Sequence, residues 1–168
     1  MDQTPLADWR QPDSRKIDLD REVGWIVTAV LSLGWVLTTI VLLLVNDVPW
    51  IISRGMALAW IPLTIGIAAL SYRWPVIEHR HSRYRVDEEL IRIEHGVFWR
   101  SSIAVPRSRV QHLDVAQGPL QRRHGLATLF IYTAGTEYSQ VSLPGLSHEV
   151  AQSLRDALLP RESRLDGV

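Results

Sequence analysis

The chain changes its hydrophobic rhythm midway. From Val23 to Val45 it reads VGWIVTAVLSLGWVLTTIVLLLV, 23 residues without a charge. As a helix that run would extend roughly 34 Å, against about 30 Å of bilayer hydrocarbon. A second run, Gly55 to Tyr72 (GMALAWIPLTIGIAALSY), has 18 residues, and residues 50–53 can extend it. Both runs are apolar all round rather than along one stripe, which suits lipid better than the core of a small soluble protein. Pro62 predicts a kink, tolerated where neighbouring groups take up the freed backbone hydrogen bonds. The expected elements are two transmembrane helices, 23–45 and 55–72, joined by a short external loop at 46–54.

Beyond Trp74 the pattern shifts to period two. Ile91 and Ile93 alternate with Arg92 and Glu94, then Val97, Trp99, Ile103 and Val105 alternate with Arg100, Ser102 and Ala104. That rhythm marks antiparallel strands with one polar face. Gly96, Gly118, Gly125, Gly135 and Gly145 punctuate it as turns do. Strands are expected at 77–86, 89–95, 97–105, 109–116, 127–134 and 137–143, with a short helix over Pro119–Gly125. A final helix follows, capped by Ser147, striped by Val150, Leu154 and Leu158, and stopped by Pro160. The predicted class is an α+β membrane protein: a two-helix transmembrane hairpin, then an antiparallel β domain at 73–160 closed by a C-terminal helix.

Charge decides which side the domain occupies. Arg10, Arg15, Lys16 and Arg21 precede the first run, Arg54 alone lies between the runs, and Arg73, Arg80, Arg83 and Arg85 follow. Cationic flanks resist translocation, so both termini are expected in the cytoplasm, with the chain crossing the membrane twice. Ten charges of both signs fill the first 22 residues, and the apolar run exceeds a signal sequence's h-region, so a retained anchor is expected behind a flexible cytoplasmic tail at 1–22. Residues 161–168 are expected as a second flexible tail.

The whole chain balances 18 basic against 18 acidic residues, which removes the basic excess typical of nucleic-acid binders. Without cysteine there is neither a disulfide nor a thiolate site. Neither span carries an ionisable residue apart from Arg54 at an edge, which argues against a self-contained ion pathway. Gly24, Thr28 and Ser32 recur at the four-residue spacing that lets membrane helices approach closely.

The candidate chemistry lies in VPRSRVQHLDV, residues 105–115. Ser108, His112 and Asp114 resemble the members of a triad. On one strand, however, Ser108 and His112 would stand about 13 Å apart, whereas a nucleophile and its base need roughly 3 Å. No catalytic residue is assigned, and no cofactor is called for. His79 and His81 form at most half a metal site on a strand, without a third ligand, so no metal is assigned. The residues set down as lipid or partner contacts are Arg73, Arg80 and Arg83 beside the membrane, Arg107, Arg109 and Gln111 on the other face of the strand, and Arg122 and Arg123 on the short helix. The bland alternative pairs Arg107 and Arg109 with Asp114 or Glu94.

The segment IAVPRSRVQHLDVAQGPLQRRHGLATLFIYTAG, followed by VSLPGL and a terminal helix, resembles the bacterial membrane-flanked PH-like domain family of the YdbS type. The resemblance covers about Ile17 to Leu159. It implies a bent antiparallel sheet closed by the last helix, no enzymatic activity, and a partner in a larger membrane protein with several PH-like domains. Lipid-binding PH domains grip phosphates with a basic loop between their first two strands; here that loop reads Val86-Asp87-Glu88-Glu89 and is acidic. The expected function is a non-catalytic adaptor or scaffold in a bacterial membrane complex, with the lipid bilayer as its other partner. The alternative is a sensor of anionic headgroups at the inner leaflet.

Overall fold

The computed structural model describes residues 8–44, 49–134 and 140–158. The chain divides into a helical unit, residues 20–76, and a mixed unit built from the residues before and after it. Helices α1 (Arg15–Leu44) and α2 (Trp50–Arg80) are both long and apolar enough to cross a membrane. The expected end of the first span at Val45, positions 46–48 of the loop, Pro160 and the C-terminal tail lie outside the described residues.

In the helical unit the apolar side chains face outward. Val30, Leu33 and Leu37 of α1 and Leu58, Ile61 and Ile65 of α2 are exposed, which suits lipid tails as the surrounding medium. The two helices meet through small groups. A Cβ on Gly24 would lie 2.7 Å from Ser71 Cβ, so only glycine permits that approach. Thr28 is buried and donates its hydroxyl to the Gly24 carbonyl at 2.8 Å, while Ser32 is half-buried. Farther along, Trp35 and Trp60 stack at 4.9 Å with their planes 11° apart. Thr39 and Thr64 likewise return their hydroxyls to carbonyls four residues back, which satisfies them where water is scarce.

Among the described residues the mixed unit holds six strands. β1 (Arg83–Val86), β2 (Leu90–His95) and β3 (Ser101–Pro106) form one antiparallel sheet. After a 3-10 turn at Arg107–Arg109, β4 (Val110–Ala116), β5 (Leu126–Thr133) and β6 (Gln140–Ser147) form the second, with the short α3 (Pro119–Arg123) between β4 and β5. Among the described residues the two sheets do not close into a barrel. Ile91, Ile93 and Val105 of the first sheet share a core with Leu129, Ile131 and Leu143 of the second. Helix α4 (His148–Leu158) adds Ala151, Leu154 and Leu158, with Ser147 Oγ accepting from the Val150 amide at 3.3 Å.

Three local expectations give way. The strand expected at 77–86 begins only at Arg83, because α2 runs on to Arg80; extending an existing helix costs far less than nucleating a new element. Its end is closed by His81 Nδ1 against the Ile77 carbonyl at 2.7 Å and by Ser82 Oγ donating to the Glu78 carbonyl at 3.0 Å. The strand expected from Val97 begins at Ser101, because Gly96 turns the chain at φ 112°. A Cβ there would collide with the Trp99 carbonyl.

The third concerns the expected flexible tail. Arg10 and Tyr84 exchange backbone hydrogen bonds, 2.8 Å each way, and the Asp13 amide donates to the Gly145 carbonyl at 2.7 Å. This strap therefore touches β1 in one sheet and β6 in the other. Asp13 also starts α1: its Oδ1 accepts from the Arg15 amide at 2.9 Å, and its Oδ2 meets Arg15 Nη2 at 2.8 Å.

Two predictions follow from these contacts. Gly24→Ala should lower the thermal stability of the detergent-solubilised protein by about 1–3 kcal/mol through overpacking, whereas Gly34→Ala, with nothing within 4 Å of the added Cβ, should not. The hydrogen bonds from Arg15 hold the Asp13 carboxyl below its ordinary 3.8. A depressed folded pKa stabilises above the unfolded value and is lost as pH falls through the folded one. Asp13→Ala should thus cost about 1 kcal/mol at neutral pH, and unfolding curves of variant and parent should converge below pH 3.8.

Candidate functional site: a basic cleft at one end of the first sheet

Antiparallel register decides which side chains meet. Arg83 lies opposite Glu94, and His95 opposite Ser101, so the β1 start, the β2 end and the β3 start share one end of the sheet. The last turn of α2 reaches that same end. Between them opens a cleft of about 450 Å³ lined by Arg80, His81, Arg83, Glu94, His95, Gly96, Arg100, Ser101 and Ser102. Three arginines stand against one glutamate. Arg83 Nη2 meets Glu94 Oε2 at 2.7 Å, and its guanidinium also lies 4.5 Å above the Trp9 ring. That glutamate therefore fixes Arg83 in place and spends its charge there. Arg80 and Arg100 are exposed and form no ion pair among the described residues.

Two guanidiniums without an ion pair among the described residues, and a third held between a carboxylate and an indole, make an arrangement suited to a phosphate-bearing anion. Arginine offers planar forked donors that match phosphate oxygens. His81 and His95 add ring nitrogens at the rim. Among the described residues no three histidines or carboxylates converge as metal ligands.

The other residues singled out in the sequence fall elsewhere. Arg73 is exposed on α2 within the helical unit. Arg107 and Arg109 sit in the 3-10 turn after Pro106, at the opposite end of β3 from the cleft, and so share no strand face with Gln111. Arg107 pairs with neither Asp114 nor Glu94: its Nη2 donates to the Ala157 carbonyl at 2.7 Å, near the end of α4, and its Nη1 to the Glu88 carbonyl at 3.4 Å. A cation there complements the negative end of the helix. Gln111 is exposed at a bulge, since Val110 pairs with Thr133 and His112 already with Tyr132. Arg122 and Arg123 are exposed at the end of α3, which packs on β5.

The apparent triad is also dispersed: Ser108 belongs to the turn, His112 lies beside the Tyr132 ring at 5.7 Å, and Asp114 faces solvent opposite Phe130. His79 falls in the last turn of α2 and His81 just beyond it, and residues two apart on a helix do not face one another. The loop between β1 and β2 carries Asp87, Glu88 and Glu89, with Arg85 Nε donating to Asp87 Oδ1 at 2.7 Å; a phosphate finds no grip there.

Of the cleft residues, the sequence singled out Arg80 and Arg83 as contacts and missed Arg100, His95, Ser101 and Ser102. The missing signal was the turn. Once Gly96 is read as the start of a hairpin loop rather than a gap between strands, His95 and Arg100 flank it on the same end as Arg83.

The chain matches the bacterial PH domain family over residues 23–162. It is 43% identical over 84 residues to UPF0699 transmembrane protein YdbS of Bacillus subtilis (strain 168), covering 50% of this chain and 51% of that protein. It is 27% identical over 90 residues to UPF0699 transmembrane protein YdbT of the same organism, covering 53% of this chain and 18% of that protein. The chain thus spans about half the length of the first of these relatives and under a fifth of the second. No solved structure matches it.

Because Arg107 braces α4 away from the cleft, Arg107→Ala should lower thermal stability by about 1 kcal/mol and leave lipid retention by the purified protein unchanged. Differential scanning fluorimetry beside native mass spectrometry reads both.

Proposed function

The chain belongs to the bacterial PH domain family, and from that premise we propose that it is a non-catalytic membrane protein whose folded domain binds anionic phospholipid headgroups through the Arg80–Arg83–Arg100 cleft. The single observation that carries the reading is the convergence of three arginines, two of them without ion pairs among the described residues, at the sheet end that the chain enters from α2. Tyr72 and Arg80 are eight residues apart in sequence, about 12 Å of helix. The link along the chain from the second apolar run to the first cleft residue is therefore short. Each cation near an anionic leaflet gains about 1 kcal/mol.

The site belongs on the cytoplasmic side of a bacterial inner membrane, crossed twice. Two observations support this topology. Lysine and arginine cluster outside the ends of the spans and leave only Arg54 between them. The strap before α1 pairs with β1 and β6, so the residues preceding the first span and those following the second occupy one compartment, as an even number of crossings requires.

A second reading, the adaptor that docks a larger membrane protein, draws support from the similarity to YdbT, of which this chain matches only 18%. Native mass spectrometry of the full chain, released from mild detergent after equilibration with phosphatidylglycerol and phosphatidylcholine, separates the two. Headgroup binding predicts selective, salt-sensitive retention of the anionic lipid, and Arg80→Ala with Arg100→Ala should weaken it by roughly thirtyfold, from about 1 kcal/mol per cation. Equal retention of both lipids, together with a stoichiometric protein partner from native membranes, would favour the adaptor instead.

A further inference from the structure

The loop joining β2 to β3 exposes the two least covered large apolar side chains among the described residues, Phe98 at 80% and Trp99 at 91%. Outside the helical unit the other exposed large apolar residues are Trp9 and Ile77, each under 40% exposed. A five-residue hairpin connection needs no aromatic group for its own stability, and polar residues fill such turns at lower cost. Nor is the conformation incidental. Gly96, at φ 112° and against the Trp99 carbonyl, fixes a turn that leaves Phe98 and Trp99 exposed while Val97 stays half-buried. This tip borders the cleft directly: Gly96 and Arg100 line it, and Phe98 and Trp99 stand between them in the chain.

We infer that Val97, Phe98 and Trp99 form a wedge that inserts into the headgroup–acyl boundary of the bilayer in which the two apolar helices are anchored. Three features single out lipid as the occupant. Indole and phenyl rings partition to that boundary, where one edge meets hydrocarbon and the other meets water and headgroups. The flanking cationic cleft complements the phosphates lying just above it. The wedge also lies at the sheet end bordered by Arg80 and His81, residues that follow closely on the second apolar run in the chain. Cleft and tip would then act as one device, the arginines holding a phosphate while the aromatics enter below it. This inference rests on the headgroup reading for its charge complementarity, but insertion itself is measured separately.

The absence of cysteine makes the test direct. The full chain carrying Trp99→Cys, labelled with an environment-sensitive fluorophore, is reconstituted into nanodiscs of mixed phosphatidylglycerol and phosphatidylcholine. A Glu88→Cys label, in the β1–β2 loop at the other end of the sheet, serves as control. Insertion predicts blue-shifted emission at position 99, quenching by lipids spin-labelled near the headgroup, and loss of quenching by aqueous iodide, with none of these at position 88. Iodide-accessible, lipid-insensitive emission at position 99 overturns the wedge. So does a label shielded from iodide in native membranes but unquenched by spin-labelled lipid, the signature of a protein partner. If the label inserts equally in pure phosphatidylcholine and after Arg80→Ala with Arg100→Ala, the wedge stands and the headgroup reading falls. If anionic lipid is retained while the label stays aqueous, the reverse holds.

Discussion

Unpaired backbone amides and carbonyls have no place in hydrocarbon, and the arrangement of this protein follows from that constraint. Residues 20–44 and 50–76 satisfy their main chain inside two helices and leave Val, Leu and Ile side chains outward, the only open-chain solution a bilayer permits. Since lipid is as apolar as leucine, packing between the helices must come from close approach and polar closure rather than from burial. Gly24 against Ser71, the Thr28 hydroxyl returned to the Gly24 carbonyl, and the Trp35–Trp60 stack supply both. The mixed unit obeys the opposite rule. In water its driving force is burial, and two three-stranded sheets and one helix place Ile91, Leu129, Leu146 and Ala151 almost wholly out of solvent.

The sheet geometry sorts charge by position. Antiparallel pairing places alternate turns at alternate ends, so the acidic β1–β2 turn and the basic β2–β3 turn are necessarily separated by the length of β2, six residues or about 20 Å. Here the turn between β1 and β2 is acidic, and the arginines gather around the turn between β2 and β3. Fold alone does not say where charge collects; the distribution of side chains does.

How much of this was legible beforehand depended on the range of the signal. Apolar run length is a local property with a large energy behind it, so both spans and the terminal helix stripe at Val150, Leu154 and Leu158 were readable from composition. The number of strands was also recovered, because period two is imposed residue by residue. Boundaries failed where a single residue decided them: the turn at Gly96 delays to Ser101 a strand that Val97 and Trp99 had started early on paper, and α2 absorbed the residues from Ile77 to Arg80. The cleft was half legible, since Arg80 and Arg83 are close in sequence to the membrane, whereas Arg100 joins them only through the pairing of β2 with β3. The role of Arg107 was invisible, because its partner carbonyl at Ala157 is fifty residues away.

The strap before α1 carries a consequence for the order of assembly. Arg10 and Asp13 leave the ribosome well before Gly145, which accepts the Asp13 amide and is made after both long helices and five of the six described strands. The segment before α1 must therefore wait until β6 exists, and its docking across the two sheets is a late step of assembly.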